Sequence, residues 1–556
     1  MCTTMIITKG ATADGSMVVT HSDDDELSDQ RVIYVPAADH DPGSPRHIMK
    51  EDYPYPRMVT EHRGPGYNTP GWPRSEPIGS IPQVPHTYAY FDGNYGIMNE
   101  HDLMIGECTN GANYEPDYVT VEQAEAGDEH MRLMYSSELS RIALERCKTA
   151  RAAVELMGAL IDEYGYYSTG ETLLVADGDE AWVFEMCALP SKTFHSAWVA
   201  QRVPDGEVFV AANEFRIRQV PSDHYEQIHC RTLLRGLEEV GWWSPHNGPL
   251  DWLRAVSPGE YNHPYYSLRR VWRIFDRVNP DLGLSPWVED GYTTAYPFSI
   301  APKKALDLED TFALYRDHYE GTQFDLTRGI AAGPYGDPHR FVGPYDGDQN
   351  DVTKGAPARG AWERAISVFY QGYTFVLQRR PSDVPEAARG VMWFAPDVSY
   401  TSVFCPFYAK ASDLPWSYQS GDPRKLDRDA AWWAFDFVGN WSRLNFQRMT
   451  QVDILPAQQQ LEHYARDRLA ATDRAIAADP ARAVDLMTAF GMEFAGSLLE
   501  SWWSLADRLV AKYSDGYINP DQSVRASAIA IGYPSTWLGQ TDYADGPLTY
   551  EMKMKP

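Results

Sequence analysis

The chain has 556 residues, with 49 Lys and Arg against 78 Asp and Glu, a formal net charge of −29. That acidity excludes a protein that grips nucleic acid through a broad cationic surface, and it disfavours an anionic membrane face. At 43% hydrophobic and 13% aromatic residues the chain is too apolar for disorder, yet no run of roughly eighteen residues is free of charge as a spanning helix requires.

In chain order, residues 2–8 and 17–21 are apolar, β-branched runs flanking Lys9 to Ser16, whose Asp14-Gly15 marks a turn. They predict an opening hairpin, centred near Thr12, that pairs Cys2 with about position 22. Further strands are predicted at Thr87–Phe91, Tyr95–Met98, Leu103–Glu107, Thr172–Val175, Ala181–Cys187 and Val208–Ala212. Apolar spacings of three and four predict helices over Ser136–Cys147 and Thr149–Tyr164. Strand-like runs return at Ile366–Leu377, Gly390–Phe394 and Tyr400–Phe404. The pattern is helical from Ala457 to Lys512, with a break at Asp479-Pro480, where Pro can open a new helix. The Pro- and Gly-rich stretches 42–83 and 333–360 read as long loops or lids, and no repeat or low-complexity linker divides the chain.

The six cysteines are too sparse for a disulfide scaffold, and no CxxC pair suggests zinc. The first residues carry neither a basic n-region nor a cleavage site, so the sequence reads as cytoplasmic. His224, His229-Cys230 and the Asp317 to Glu320 run offer metal-ligand residue types, but there is no HExxH and no phosphate-cradling glycine loop. Neither a cofactor nor a metal is called for.

Cys2 is the most informative residue. Removal of the initiator Met before its small side chain would place a thiol and a free α-amine on one residue. Such an amine titrates near pH 8 and can take the thiol proton without a separate histidine. The hairpin would bring His21, Ser22, Asp23, Asp24 and Asp25 beside it, three successive carboxylates able to orient the amine or receive a substrate ammonium group. A solvated loop or a cation site are the other readings of such a run.

Several segments together carry a family resemblance: Cys2-Thr3-Thr4-Met5-Ile6-Ile7, Thr20-His21-Ser22-Asp23-Asp24, Gly96-Ile97-Met98-Asn99-Glu100-His101, Asp177-Gly178-Asp179, Val210-Ala211-Ala212-Asn213-Glu214-Phe215, Arg316-Asp317-His318-Tyr319-Glu320-Gly321 and Glu363-Arg364-Ala365. The sequence resembles the dipeptidase A family of cysteine dipeptidases, within the N-terminal nucleophile hydrolases, over about residues 2–410. The resemblance implies an α+β fold, the four-layer α-β-β-α sandwich of that superfamily. The hydrolase domain would span residues 2–450, and a helical C-terminal region, 451–556, would pack on it.

The resemblance also implies hydrolysis of dipeptides, with Cys2 as nucleophile and its α-amine as base. Asp24 matches an acid that contacts the nucleophile in related amidases. Those relatives carry Arg three residues before it, where this chain has His21, which cannot reproduce a bidentate fork. Asn213 and Thr109 match donors to an oxyanion, and Arg364 matches a cation near the nucleophile that stabilises negative charge or holds a substrate carboxylate. Asp23 or Asp25 would receive the substrate ammonium. An N-acyl amide hydrolase on the same scaffold and a non-catalytic, secernin-like protein are the alternatives. The aromatic content and long helices would suit a homo-oligomer.

Overall fold

The computed structural model describes residues 1–25, 28–50, 52–127, 130–260, 265–288, 290–340 and 363–541. Its centre is a pair of antiparallel sheets. One has, from edge to edge, the strands Ser299–Ile300, Val208–Ala211, Cys2–Ile7, Met17–Asp23, Tyr373–Arg379, Gly390–Pro396 and Cys405–Tyr408. The other runs Gln227–His229, Ser196–Arg202, Ala181–Ala188, Gly170–Ala176, Met104–Asn110, Gly96–Asn99, Tyr90–Asp92 and Ile33–Val35. The central strands are buried along nearly their whole length, which is why they read as continuous apolar runs and not as alternating ones.

The two sheets meet where Met104–Asn110 crosses the opening hairpin. A Cβ on Gly106 would lie 2.9 Å from the Thr20 carbonyl oxygen and 3.0 Å from Thr4 Oγ1, so only glycine permits the approach. Because the sheets come this close, side chains pointing inward from the end of the first strand face side chains from the end of Met104–Asn110.

Helices Ser136–Arg146 and Ala150–Tyr164 lie against the eight-stranded sheet. Ser140 Oγ accepts the Gly96 N–H at 3.0 Å, and Trp198 Nε1 donates to Asp162 at 2.9 Å. Leu455–Ala478 and Ala483–Lys512 run beside the other sheet, where the Tyr408 hydroxyl donates to Asp473 at 2.8 Å and Arg380 pairs with the same carboxylate at 2.8 Å. The predicted break falls at a short turn, Pro480–Arg482. The molecule is thus a mixed α and β structure with antiparallel sheets and a helical C-terminal region.

Several expectations are corrected. The hairpin pairs Cys2 with Asp23, one residue beyond the predicted partner, because a short turn at Lys9–Ala11 lengthens the connection. Residues 366–372 are not strand, and that strand is Tyr373–Arg379. Tyr400–Phe404 is largely buried, but Ser399–Thr401 forms a helical turn and the strand starts at Cys405. The stretch 42–83 is more than loop, since Pro45–Met49 pairs with Pro77–Pro82. Most of the second stretch, 333–360, lies outside the described residues. Ser196–Arg202 and the helices Leu268–Val278, Leu308–Tyr315 and Ala431–Ser442 went unforeseen. All six cysteines are free and buried, and among the described residues no helix is long and apolar enough to cross a membrane.

Candidate active site

The antiparallel register decides which side chains meet. Cys2 stands opposite Asp23 and Thr4 opposite His21, so with a period of two Cys2, His21 and Asp23 share one face of the hairpin. That face is the one Met104–Asn110 covers. The Cys2 thiol donates to Glu107 Oε2 at 3.0 Å, and the Thr109 hydroxyl donates to Glu107 Oε1 at 2.8 Å. His21 Nδ1 lies 2.7 Å from the Glu107 carbonyl oxygen, while its Nε2 has no partner. Asp23 Oδ2 accepts from Asn94 Nδ2 at 2.5 Å.

The Cys2 main chain is held from the opposite side. Its N–H donates to Asn213 Oδ1 at 3.3 Å, and its carbonyl accepts from Arg270 at 2.8 Å. Arg270 also donates to Asn213 Oδ1 at 2.9 Å and to the Ala212 carbonyl at 3.0 Å. Asn213 adopts φ 64°, a left-handed conformation that Asn tolerates better than most residues, just past the strand Val208–Ala211. Its Nδ2 donates to the Thr109 carbonyl at 2.7 Å, which leaves the second amide N–H available.

Met1 continues the first strand beside Asp24: its ammonium donates to the Asp24 carbonyl at 3.1 Å and its carbonyl accepts the Asp24 N–H at 2.9 Å. The Asp24 side chain is paired with Arg364 at 2.5 Å, both wholly buried. Asp25 is half-buried at the end of the run. Seven of the residues singled out in the sequence, Cys2, His21, Asp23, Asp24, Thr109, Asn213 and Arg364, are therefore linked in one cluster. The other metal-type residues lie apart from it: Asp317 pairs with Arg273 at 2.7 Å, and His318 with Glu320 at 3.0 Å.

The cluster is rich in buried acids. Burial, and then the Glu107 carboxylate, push the Cys2 thiol well above the usual range, against the pull of the terminal ammonium. Glu171, on the adjacent strand, is driven well up by burial and by Glu107, although the Tyr135 hydroxyl donates to it at 2.5 Å. Burial raises Asp23 as well, against His21 and the ammonium. Sequence reasoning missed Glu107, Glu171 and Arg270. The available signal was a charged residue inside or opening an otherwise apolar run, which a buried strand accepts only when the charge is partnered or neutralised.

This chain belongs to peptidase family C69, whose sequence profile matches residues 1–458, and it is an enzyme of the peptidase class. Among similar proteins, a probable dipeptidase of Latilactobacillus sakei is 24% identical over 518 residues, covering 92% of this chain and 95% of that protein. A probable dipeptidase of Salmonella dublin is 26% identical over 430 residues, covering 76% and 83%. Dipeptidase A of Lactobacillus helveticus is 23% identical over 431 residues, covering 77% and 79%.

Proposed function

We propose that the protein is a cytoplasmic dipeptidase that uses Cys2 as an N-terminal nucleophile, on the four-layer α-β-β-α sandwich of the N-terminal nucleophile hydrolases. In this reading residues 2–450 form the hydrolase domain and 451–556 a helical region packed on it. The observation that carries the proposal is the environment of Cys2, with its thiol on Glu107 and its main chain fixed by Asn213 and Arg270.

Removal of Met1 leaves the Cys2 α-amine beside Asn213 Oδ1 and frees the N–H and C=O of Asp24. Those two groups can hold a short peptide in place of Met1, as one more stretch of strand. The neutral α-amine takes the thiol proton. The sulfur then bonds to the scissile carbonyl carbon, whose oxygen becomes an oxyanion facing the second N–H of Asn213 Nδ2. Thr109 supports it indirectly, by fixing both Glu107 and the Asn213 amide. As the C–N bond breaks, the ammonium returns its proton to the leaving amine. The same amine then activates water to cleave the thioester.

Asp23 and Asp25 are the acceptors for the substrate ammonium. His21 orients the strand carrying Glu107, and Arg364 holds Asp24 so that its main chain faces the substrate. The printed names of the relatives, dipeptidases from several bacteria, support the substrate class.

The test is intact mass before and after a thiol alkylator, with peptide mapping and dipeptide hydrolysis in the same sample. Loss of Met1, selective labelling of Cys2 and parallel loss of turnover are the expected results. A retained Met1 in active protein, or full activity with Cys2 labelled, would overturn the mechanism.

A further inference from the structure

Beyond turnover, we infer that Cys2, His21 and Asp23 form a binding site for a thiophilic divalent cation of the Zn²⁺ type, which holds the enzyme in a reversibly inhibited state. One ligand atom from each of the three residues lies within 4.8 Å of the others, and all three side chains are buried. Tetrahedral zinc with a sulfur at about 2.3 Å and nitrogen or oxygen at about 2.0 Å has ligand-to-ligand edges of roughly 3.3 to 3.6 Å. Closing the triangle thus takes movements of at most about 1.5 Å, within the range of side-chain rotation.

The protein already holds two of the three ligands in place. His21 Nδ1 lies 2.7 Å from the Glu107 carbonyl oxygen, an acceptor that can take only a hydrogen, so the proton sits on Nδ1 and the lone pair on Nε2. That Nε2 is buried with no partner among the protein groups. A buried imidazole nitrogen without a partner costs free energy that a bound cation would recover. Asp23 is fixed by Asn94 through one carboxylate oxygen at 2.5 Å. Glu107 Oε2, 3.0 Å from Cys2 Sγ, adds a carboxylate beside the sulfur. One sulfur, one imidazole and carboxylate oxygen suit zinc or cobalt over magnesium or calcium, which prefer oxygen alone.

Binding replaces the thiol proton by the metal, and that proton leaves to solvent. With the sulfur lone pair committed to the cation, Cys2 cannot attack a carbonyl until the metal is removed. Occupancy of the site is a property of the folded protein and needs no substrate.

The experiment uses the full chain, kept reduced with a phosphine in place of a dithiol, and Co²⁺ as probe. One equivalent of Co²⁺ is expected to give a near-ultraviolet thiolate-to-cobalt band and visible bands of tetrahedral intensity, both removed by competing Zn²⁺. His21→Asn and Asp23→Asn should each weaken binding roughly tenfold or more, and Cys2→Ser should abolish the near-ultraviolet band. In unmutated protein, Zn²⁺ should protect Cys2, and not Cys147, from a thiol alkylator, a readout that does not depend on any variant folding. No saturable cobalt band, a band unchanged in the His21 and Asp23 variants, or no protection of Cys2 would each overturn the site. Protein that binds cobalt but cleaves no dipeptide would sink the dipeptidase reading alone. Protein that cleaves dipeptides but binds no cobalt would sink this inference alone.

Discussion

The Cys2 thiol donates to the Glu107 carboxylate at 3.0 Å, a contact between two sheets made by residues 105 positions apart in the chain. An acceptor with full negative charge holds the proton on sulfur, because the thiolate would face it across a dry interface. Glu107→Gln should therefore make Cys2 ionise at lower pH. The rate of Cys2 alkylation by iodoacetamide, followed from pH 6 to 10 by peptide mapping, should shift to the acid side in the variant. An unchanged profile, or an alkaline shift, would mean that Glu107 does not set the state of the thiol.

Asp24 and Arg364 lie 2.5 Å apart and are both fully buried. Removing one partner of such a pair strands the other charge in a low-dielectric interior, at a cost of about 3 to 5 kcal/mol. Arg364→Ala and Asp24→Ala should each lower the thermal midpoint sharply. The double variant should lose much less than the sum, because no stranded charge remains. Additive losses in the thermal denaturation of all three variants would show that the pair is not coupled. Arg364→Lys should also be damaging, since Arg364 donates to the Ala365 carbonyl at 2.7 Å as well as to Asp24, and a single ammonium cannot copy that fork.

What the sequence made legible was local. Cys2 and the acids at 23–25 are neighbours because a hairpin joins them, and turn residues in between announce it. Their register was out by one residue because the turn at Lys9–Ala11 takes up chain that no propensity reveals. Glu107 escaped notice because its role depends on how closely two sheets approach, a distance fixed at Gly106 by packing between residues far apart in sequence. Arg270 sits on a helix, Leu268–Val278, that holds four arginines among apolar residues. Such a helix looks like a solvated face until tertiary structure turns one guanidinium onto the Cys2 and Ala212 carbonyls. Tyr400–Phe404 is not strand for a related reason, as a short helical turn can carry the same aromatic and β-branched residues as a strand over five positions.

The contacts of Met1 give a third prediction. Its main chain occupies both free hydrogen-bonding groups of Asp24, and its sulfur touches the Tyr266 hydroxyl at 2.5 Å. Any residue retained before Cys2 removes the α-amine as a base and fills the space a substrate would use. Protein carrying an uncleaved N-terminal tag should fold with the same thermal midpoint as C-terminally tagged protein, yet lose at least about 2 to 4 orders of magnitude in kcat/KM, the range associated with loss of a positioned general base. Equal activity of the two forms on a dipeptide panel would dispose of the N-terminal nucleophile.

Blocking the substrate termini probes the acids on the other side of the site. Asp23 is buried and Asp25 half-buried, and a free ammonium gains charge-assisted attraction from their carboxylates that an acetylated amine does not. N-acetyl dipeptides should be cleaved with kcat/KM reduced about 10- to 100-fold, a loss of roughly 1.4 to 2.8 kcal/mol. Asp23→Asn should narrow that gap by slowing the free dipeptide more than the acetylated one. If acetylated and free dipeptides were cleaved equally well, the ammonium would be bound elsewhere or not at all.

Glu185 links the site to pH. Burial raises its carboxyl to about 7, against the pull of the Arg216 and Ile217 N–H groups, the first of which it accepts at 2.6 Å. Those residues lie three and four positions after Asn213, so this carboxyl anchors the segment that leads away from the amide beside Cys2. An unfolded Glu titrates near 4.3, so between that value and about 7 the native state binds the proton and the unfolded state does not. Stability is then highest below the unfolded value and falls as pH rises towards 7, by at most about 4 kcal/mol from this group. Glu185→Gln keeps a carbonyl acceptor for the N–H groups and removes the titration. Its thermal midpoint should fall less steeply from pH 4.5 to 7.5 than that of the unaltered protein. Two parallel curves over that range would show that the carboxyl does not carry a raised pKa in the folded state.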